Sequence, residues 1–76
     1  MPFINIKVVK GVLPEEKRQE MIARVSDVVA EIEAGPENKE KLLPHTWCVI
    51  EEVECANWGI GGNALTPEML QAVLSG

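Results

Sequence analysis

Pro2-Phe3-Ile4-Asn5-Ile6-Lys7-Val8-Val9 is the stretch whose reading decides the fold. It is rich in β-branched residues, and its side chains alternate in character. Ile4, Ile6 and Val8 share one face, while Phe3, Asn5, Lys7 and Val9 share the other. Residues 3–9 are therefore predicted as a strand, which Gly11 ends. Pro2 lies just in front of it. Proline has no N–H to donate, which does no harm at a strand start. Pro2 also has a chemical potential of its own. If Met1 is removed, it presents a secondary amine with no side chain in its way. Desolvation disfavours the charged form of an amine, and an amine poised near the working pH suits general base chemistry. On position alone, both roles stay open.

Working outward, a helix follows. Pro14 suits a first helical position, and Glu15 and Glu16 complement the positive end of the helix dipole. Met21, Ile22, Val25, Val28, Val29 and Ile32 recur at helical spacing as one apolar stripe. Lys17, Arg18, Glu20, Arg24, Asp27 and Glu31 read as the solvated side. Gly35-Pro36 stops the helix. Residues 36–45 are polar and irregular, with room for one helical turn near Glu37–Leu42. Thr46–Val53 is predicted as a second strand. Strand, helix and strand in this order form a βαβ unit with parallel strands and a right-handed crossover.

Asn57-Trp58-Gly59-Ile60-Gly61-Gly62-Asn63 then concentrates three glycines in four residues, as in a tight hairpin. A phosphate loop fails here, because no Walker lysine follows and no helix opens directly. The tail predicts a short helix, with Thr66 as cap, Pro67 in its first position and Leu65 and Leu70 as a hydrophobic staple. Its face of Leu70, Val73 and Leu74 is expected to dock on a neighbouring subunit or on its own sheet.

Composition sets the outer bounds. A chain of 76 residues makes a single domain, 1–76, too small to bury much of its surface alone. Because 46% of it is hydrophobic, oligomerisation is the expected remedy. A net charge of −5 argues against nucleic acid or an anionic membrane as partner. No apolar run reaches spanning length, and the N-terminus enters a strand at once rather than a secretory signal. The expected location is the cytoplasm. Cys48 and Cys55 are read as free thiols. With His45 they match no zinc spacing, so no metal is expected, and His45 is read as a loop residue.

Met1-Pro2 entering a strand, a helix opening with Pro14-Glu15-Glu16-Lys17 and carrying Ile22, Val25 and Ser26, a strand Val49-Ile50-Glu51-Glu52-Val53, and then Trp58-Gly59-Ile60-Gly61-Gly62 together resemble the 4-oxalocrotonate tautomerase family. The resemblance covers residues 2 to about 63, and the aromatic-Gly-Ile-Gly-Gly segment is its more specific part. It implies an α+β chain: a β-α-β subunit with a C-terminal hairpin, here followed by a short helix. It further implies sheets paired between subunits and a hexamer built as a trimer of dimers. Pro2, freed of Met1, is implied as the catalytic base of a keto-enol isomerase that needs no cofactor. Trp58, in place of the family's usual phenylalanine, would line the pocket with Val9 and Ile60 and help keep the proline's pKa low.

The departures from the family are specific. Its reference enzymes hold substrate carboxylates with two arginines, and the matching positions here are Val12 and Trp47. Neither can form the bidentate, charge-assisted bonds of an arginine. In a desolvated site each such bond is worth roughly 1.5–3 kcal/mol. Two expectations follow. The chain is an enzyme whose pocket, with Phe3, Trp47 and Trp58, favours an aromatic or less charged enol, with Lys7, Lys10 or a neighbour's basic residue holding one carboxylate. Alternatively it is a non-catalytic or arginine-deficient subunit, and a paralogous partner carries the arginines. Hydration chemistry, which some members run with a glutamate near the Ile60 position, is the weaker option because isoleucine cannot activate water. Glu51 and Glu52 fall on opposite faces of their strand, so at most one points into a given pocket. The 36–45 segment exceeds the family's shorter connection and is a candidate lid or insertion.

Overall fold

Two parallel strands carry the chain in the computed structural model, which describes residues 1–76. Strand β1 (Phe3–Val9) pairs with β2 (Trp47–Val53) over its full length, from Phe3 opposite Trp47 to Val9 opposite Val53. Between them run helix α1 (Glu15–Ala34) and a short helix α2 (Lys39–Leu42), which continues into a 3₁₀ turn at Leu43–His45. A hairpin of β3 (Gly59–Ile60) and β4 (Asn63–Ala64) and a final helix α3 (Pro67–Ser75) complete an α+β chain. This is the expected β-α-β arrangement with hairpin and short helix.

The local reasons match the residues. Pro14 stands just outside α1 rather than within it, in extended conformation, and its carbonyl accepts from the N–H groups of Lys17 and Arg18 at 3.0 and 3.1 Å. Gly35 closes α1 at φ 87°, where a side chain would be strained. Gly61 and Gly62 both take positive φ, 59° and 87°, as a two-residue hairpin turn of the primed kind demands. The Thr66 hydroxyl accepts from the Met69 N–H at 3.1 Å and caps α3. Strand β2 begins one residue later than predicted. Thr46 is drawn into the preceding turn, its hydroxyl donating to the Leu42 carbonyl at 3.1 Å.

The 36–45 segment is more ordered than its composition suggests. The Lys39 ammonium lies 3.3 Å from Asp27 and 3.7 Å from Glu31, both on α1, and these ties dock α2 on that helix. The carboxylates, chiefly Asp27, raise the Lys39 pKa. Residues 27 and 31 thus serve a connection rather than open solvent.

Packing departs most from expectation at α1. Its fully buried positions are Ala30 and Ser26, neither of which belongs to the apolar stripe. The stripe's Val28 and Ile32 remain 53% and 79% exposed. At 100° per residue, the stripe is offset by roughly a third of a turn from the side that carries Ser26 and Ala30. Small side chains occupy the buried positions 26 and 30 of the helix, which packs chiefly against β2, while Val28 and Ile32 of the stripe stay in the open. Leu65 is the only other buried residue, and no large side chain is fully enclosed. The chain exposes 5579 Å², against about 4,600 Å² for a compact monomer of 8.4 kDa.

No helix covers the other face of the sheet, which is most open at its Phe3–Trp47 end. Phe3 and Trp47, opposite one another, are 63% and 62% exposed. Beside them a polar ladder crosses the strands: the Asn5 amide and the Lys7 ammonium both donate to the Glu51 carboxylate, at 2.6 and 2.9 Å. The Lys7 bond, with help from Asn5, holds the Glu51 carboxyl below the usual glutamate range.

Replacing Ala30 by leucine should overpack the only close helix–sheet contact and cost about 1–3 kcal/mol, measurable by urea denaturation. The Glu51 carboxyl should titrate below an ordinary glutamate, so its contribution to stability is complete above the ordinary range and lost as pH falls through the depressed value. In Lys7→Met, NMR titration should show the Glu51 midpoint moving up.

Candidate active site

Pro2, Phe3, Val9 and Trp47 owe their positions to the register of two strands. The Trp47 N–H donates to the Pro2 carbonyl at 3.1 Å, which fixes Pro2 at the start of the sheet with Phe3 and Trp47 as its neighbours. Met1 is 81% exposed, and Pro2 is half-buried. Cys48, the next residue of β2, is a free and half-buried thiol.

The remaining candidates gather at the opposite end. Val9 pairs with Val53, and the Lys10 N–H donates to the Val53 carbonyl at 2.8 Å. The Val12 N–H reaches the Val9 carbonyl at 3.3 Å, which places Val12 in the turn that leaves β1. Trp58 is held there by its backbone. Its N–H donates to the Cys55 carbonyl at 3.0 Å, and its carbonyl accepts from Leu65 at 2.7 Å. Its side chain, with Lys7, Val53, Asn57 and Gly59, lines a shallow cleft of about 230 Å³. Ile60 sits in the hairpin, 57% exposed.

The candidates therefore form two groups. At 3.2–3.4 Å per residue, the seven steps from Pro2 to Val9 put them roughly 23 Å apart within one chain. Pro2, Phe3 and Trp47 occupy one end; Val9, Val12, Trp58 and Ile60 occupy the other.

Cations are accounted for at the second end. Lys7 is bound to Glu51, and Lys10 lies 3.0 Å from Glu54, whose carboxylate raises the Lys10 pKa. Neither ammonium stands free for a substrate carboxylate. No group of three or more His, Cys, Asp or Glu side chains converges as a metal site would require.

One arrangement escaped the sequence reading. Arg18 is half-buried, donates to the Leu13 carbonyl at 2.6 Å and approaches Glu52 to 3.5 Å. It clasps the turn after β1 to the end of β2, beside Val12. The signal was present in the parity of β2: Glu52 shares the helix-facing side with Cys48 and Ile50, and an acid on that side calls for a cation from the helix.

Comparison with known proteins agrees with this architecture. The tautomerase enzyme family matches residues 2–67. A probable tautomerase of Dickeya dadantii is 35% identical over 72 residues, spanning 95% of this chain and 98% of that protein. Probable tautomerases of two Helicobacter pylori strains are each 36% identical over 67 residues, spanning 86% of this chain and 90% of theirs. The crystal structure of a 4-oxalocrotonate tautomerase homologue superposes with a TM-score of 0.68, covering 84% of this chain and 90% of the other at 20% identity, a likeness of fold. By its βαβ sheet, its Gly-rich hairpin and relatives that match almost end to end, the chain belongs to the tautomerase family.

Proposed function

We propose that this chain is a keto-enol tautomerase in which Pro2, freed of Met1, is the general base. The observation that carries the reading is the placement of Pro2. Its carbonyl accepts from the Trp47 N–H, which anchors it to β2 at the head of the sheet. In the neutral amine form, the nitrogen lone pair takes the proton of a substrate enol hydroxyl. The same proton, now on the prolyl ammonium, is delivered to the carbon at the far end of the enol, and the ketone forms with no net change in the enzyme. The reverse route removes a proton from that carbon.

Such a base needs a dry surrounding, and one chain offers Pro2 little cover. The aromatic and aliphatic groups suited to that task, Trp58, Ile60 and Val9, lie at the other end of the sheet. A second copy running antiparallel would bring its Trp58 end to the first copy's Pro2. The bare sheet face, the scarcity of buried residues and the excess surface all favour such an oligomer. The hexamer of paired sheets implied by the family resemblance is one assembly with this property.

Substrate preference follows from charge. Val12 and Trp47 are uncharged, and Lys7 and Lys10 are already paired. We infer an aromatic or weakly charged enol rather than an acyclic dicarboxylate, with Phe3 and Trp47 beside the base. The same lack of cations favours a second reading, in which the chain is a subunit of a mixed assembly whose partner brings arginines.

Intact mass of protein from its native host should show loss of Met1. Pro2→Ala should lower phenylenolpyruvate ketonisation by about 10²-fold or more, the range of a general base. The wild type should handle phenylenolpyruvate better than 2-hydroxymuconate, and Trp47→Arg should shift kcat/KM toward the dicarboxylate. Retained Met1, or no turnover of either compound together with co-purification of an arginine-bearing small subunit, would favour the second reading.

A further inference from the structure

Helix α3 and one side of α1 are both apolar and both uncovered. Along α3, Met69, Leu70, Val73 and Leu74 form a stripe at helical spacing, and Val73 and Leu74 are 75% and 58% exposed. A helix of nine residues is too short to persist in water on its own propensity, so packing must hold it. Its start is fixed by buried Leu65 and by the Thr66 cap, yet α3 forms no packed face with α1 or the sheet. The chain is drawn out to 46 Å along one axis and 19 Å along another, with a radius of gyration of 15.7 Å against about 11 Å for a compact domain of this length.

On α1, a groove of about 640 Å³ is floored by apolar side chains including Met21, Val25 and Val28 and edged by Lys17, Glu20 and Arg24. At 100° per residue its centre lies roughly 160° around the helix from Ser26 and Ala30, which face the sheet. The chain's own sheet therefore cannot fill it. Arg24 is bound to Glu20 at 2.8 Å, whereas Lys17 takes part in no ion pair. Glu68, the one charged residue of α3, takes part in none either.

We propose that α3 of one chain docks into the α1 groove of a second copy, parallel to α1, with Glu68 against Lys17. This is the helix-in-groove mode, in which anchors at i, i+3 and i+4 enter an apolar channel. The dimensions agree. Nine residues of helix span about 13.5 Å, and the eight steps from Lys17 to Val25 span about 12 Å. With Glu68 at Lys17, Val73 and Leu74 fall between Met21 and Val25. The contact is separate from the chemistry at Pro2 and is tested without it.

The test uses two full-length chains with different tags, one carrying Met21→Cys and the other Val73→Cys, co-expressed, purified and oxidised. The wild type, with Cys48 and Cys55, is the control. The expected product is a covalent dimer bearing both tags. Lys17→Glu or Glu68→Lys alone should lower its yield, and the two together should restore it. Three outcomes would overturn the proposal: no mixed dimer, Met21→Cys chains joining to each other because α1 fills the groove, or a chain with both cysteines closing on itself. All the substituted positions are at least partly exposed, and circular dichroism confirms that each variant folds.

Discussion

The constraint on which the rest depends is that one helix covers one face of a two-stranded parallel sheet. Parallel pairing is a buried arrangement, and it ordinarily has both faces covered. Here α1 buries Ser26 and Ala30 and packs chiefly against β2, and then the chain runs out of material. The opposite face keeps Phe3, Trp47 and Val49 in the open. Val28 and Ile32 of the α1 stripe and Met69, Val73 and Leu74 of α3 share that condition. The proposed assembly would place the missing core between copies rather than within one.

The same register separates the chemistry. Because β1 and β2 run in parallel over seven residue pairs, the Pro2 end and the Trp58 end are held apart by the length of a strand. Polar side chains secure each end in place without freeing a cation for substrate. Glu51 gathers Asn5 and Lys7, Glu54 takes Lys10, and Arg18 clasps the Leu13 carbonyl and Glu52. Exposed pairs of this kind add little stability singly. Their consequence is electrostatic: the lysines nearest the Trp58 cleft, Lys7 and Lys10, are already paired with carboxylates.

Much of this was legible in the residues. Alternation along 3–9, the Pro14 and Gly35 boundaries of α1, the Gly61-Gly62 turn and the Thr66 cap are local signals, and local physics decided them. The errors were non-local. Periodicity marked the apolar stripe of α1, but it marks an apolar side and not what covers it. Ala30 and Ser26 carry the close approach because they are small, a property that hydropathy does not weigh. Arg18, Asp27 and Glu31 looked solvated because their partners, Glu52 and Lys39, are distant in sequence. The residues of the candidate site were individually readable. Their division between two ends of the sheet was not, since it follows from the pairing register.

The account's central claim is that a working site takes Pro2 from one chain and Trp58 from another. Complementation measures this directly. Pro2→Ala chains and Trp58→Ala chains, each inactive toward phenylenolpyruvate alone, are unfolded together and refolded as mixed oligomers. Recovery of ketonisation in the mixture, absent when the two are refolded separately and then combined, is the predicted result. A mixture as inactive as its components, although mixed oligomers are present by mass, would contradict a shared site.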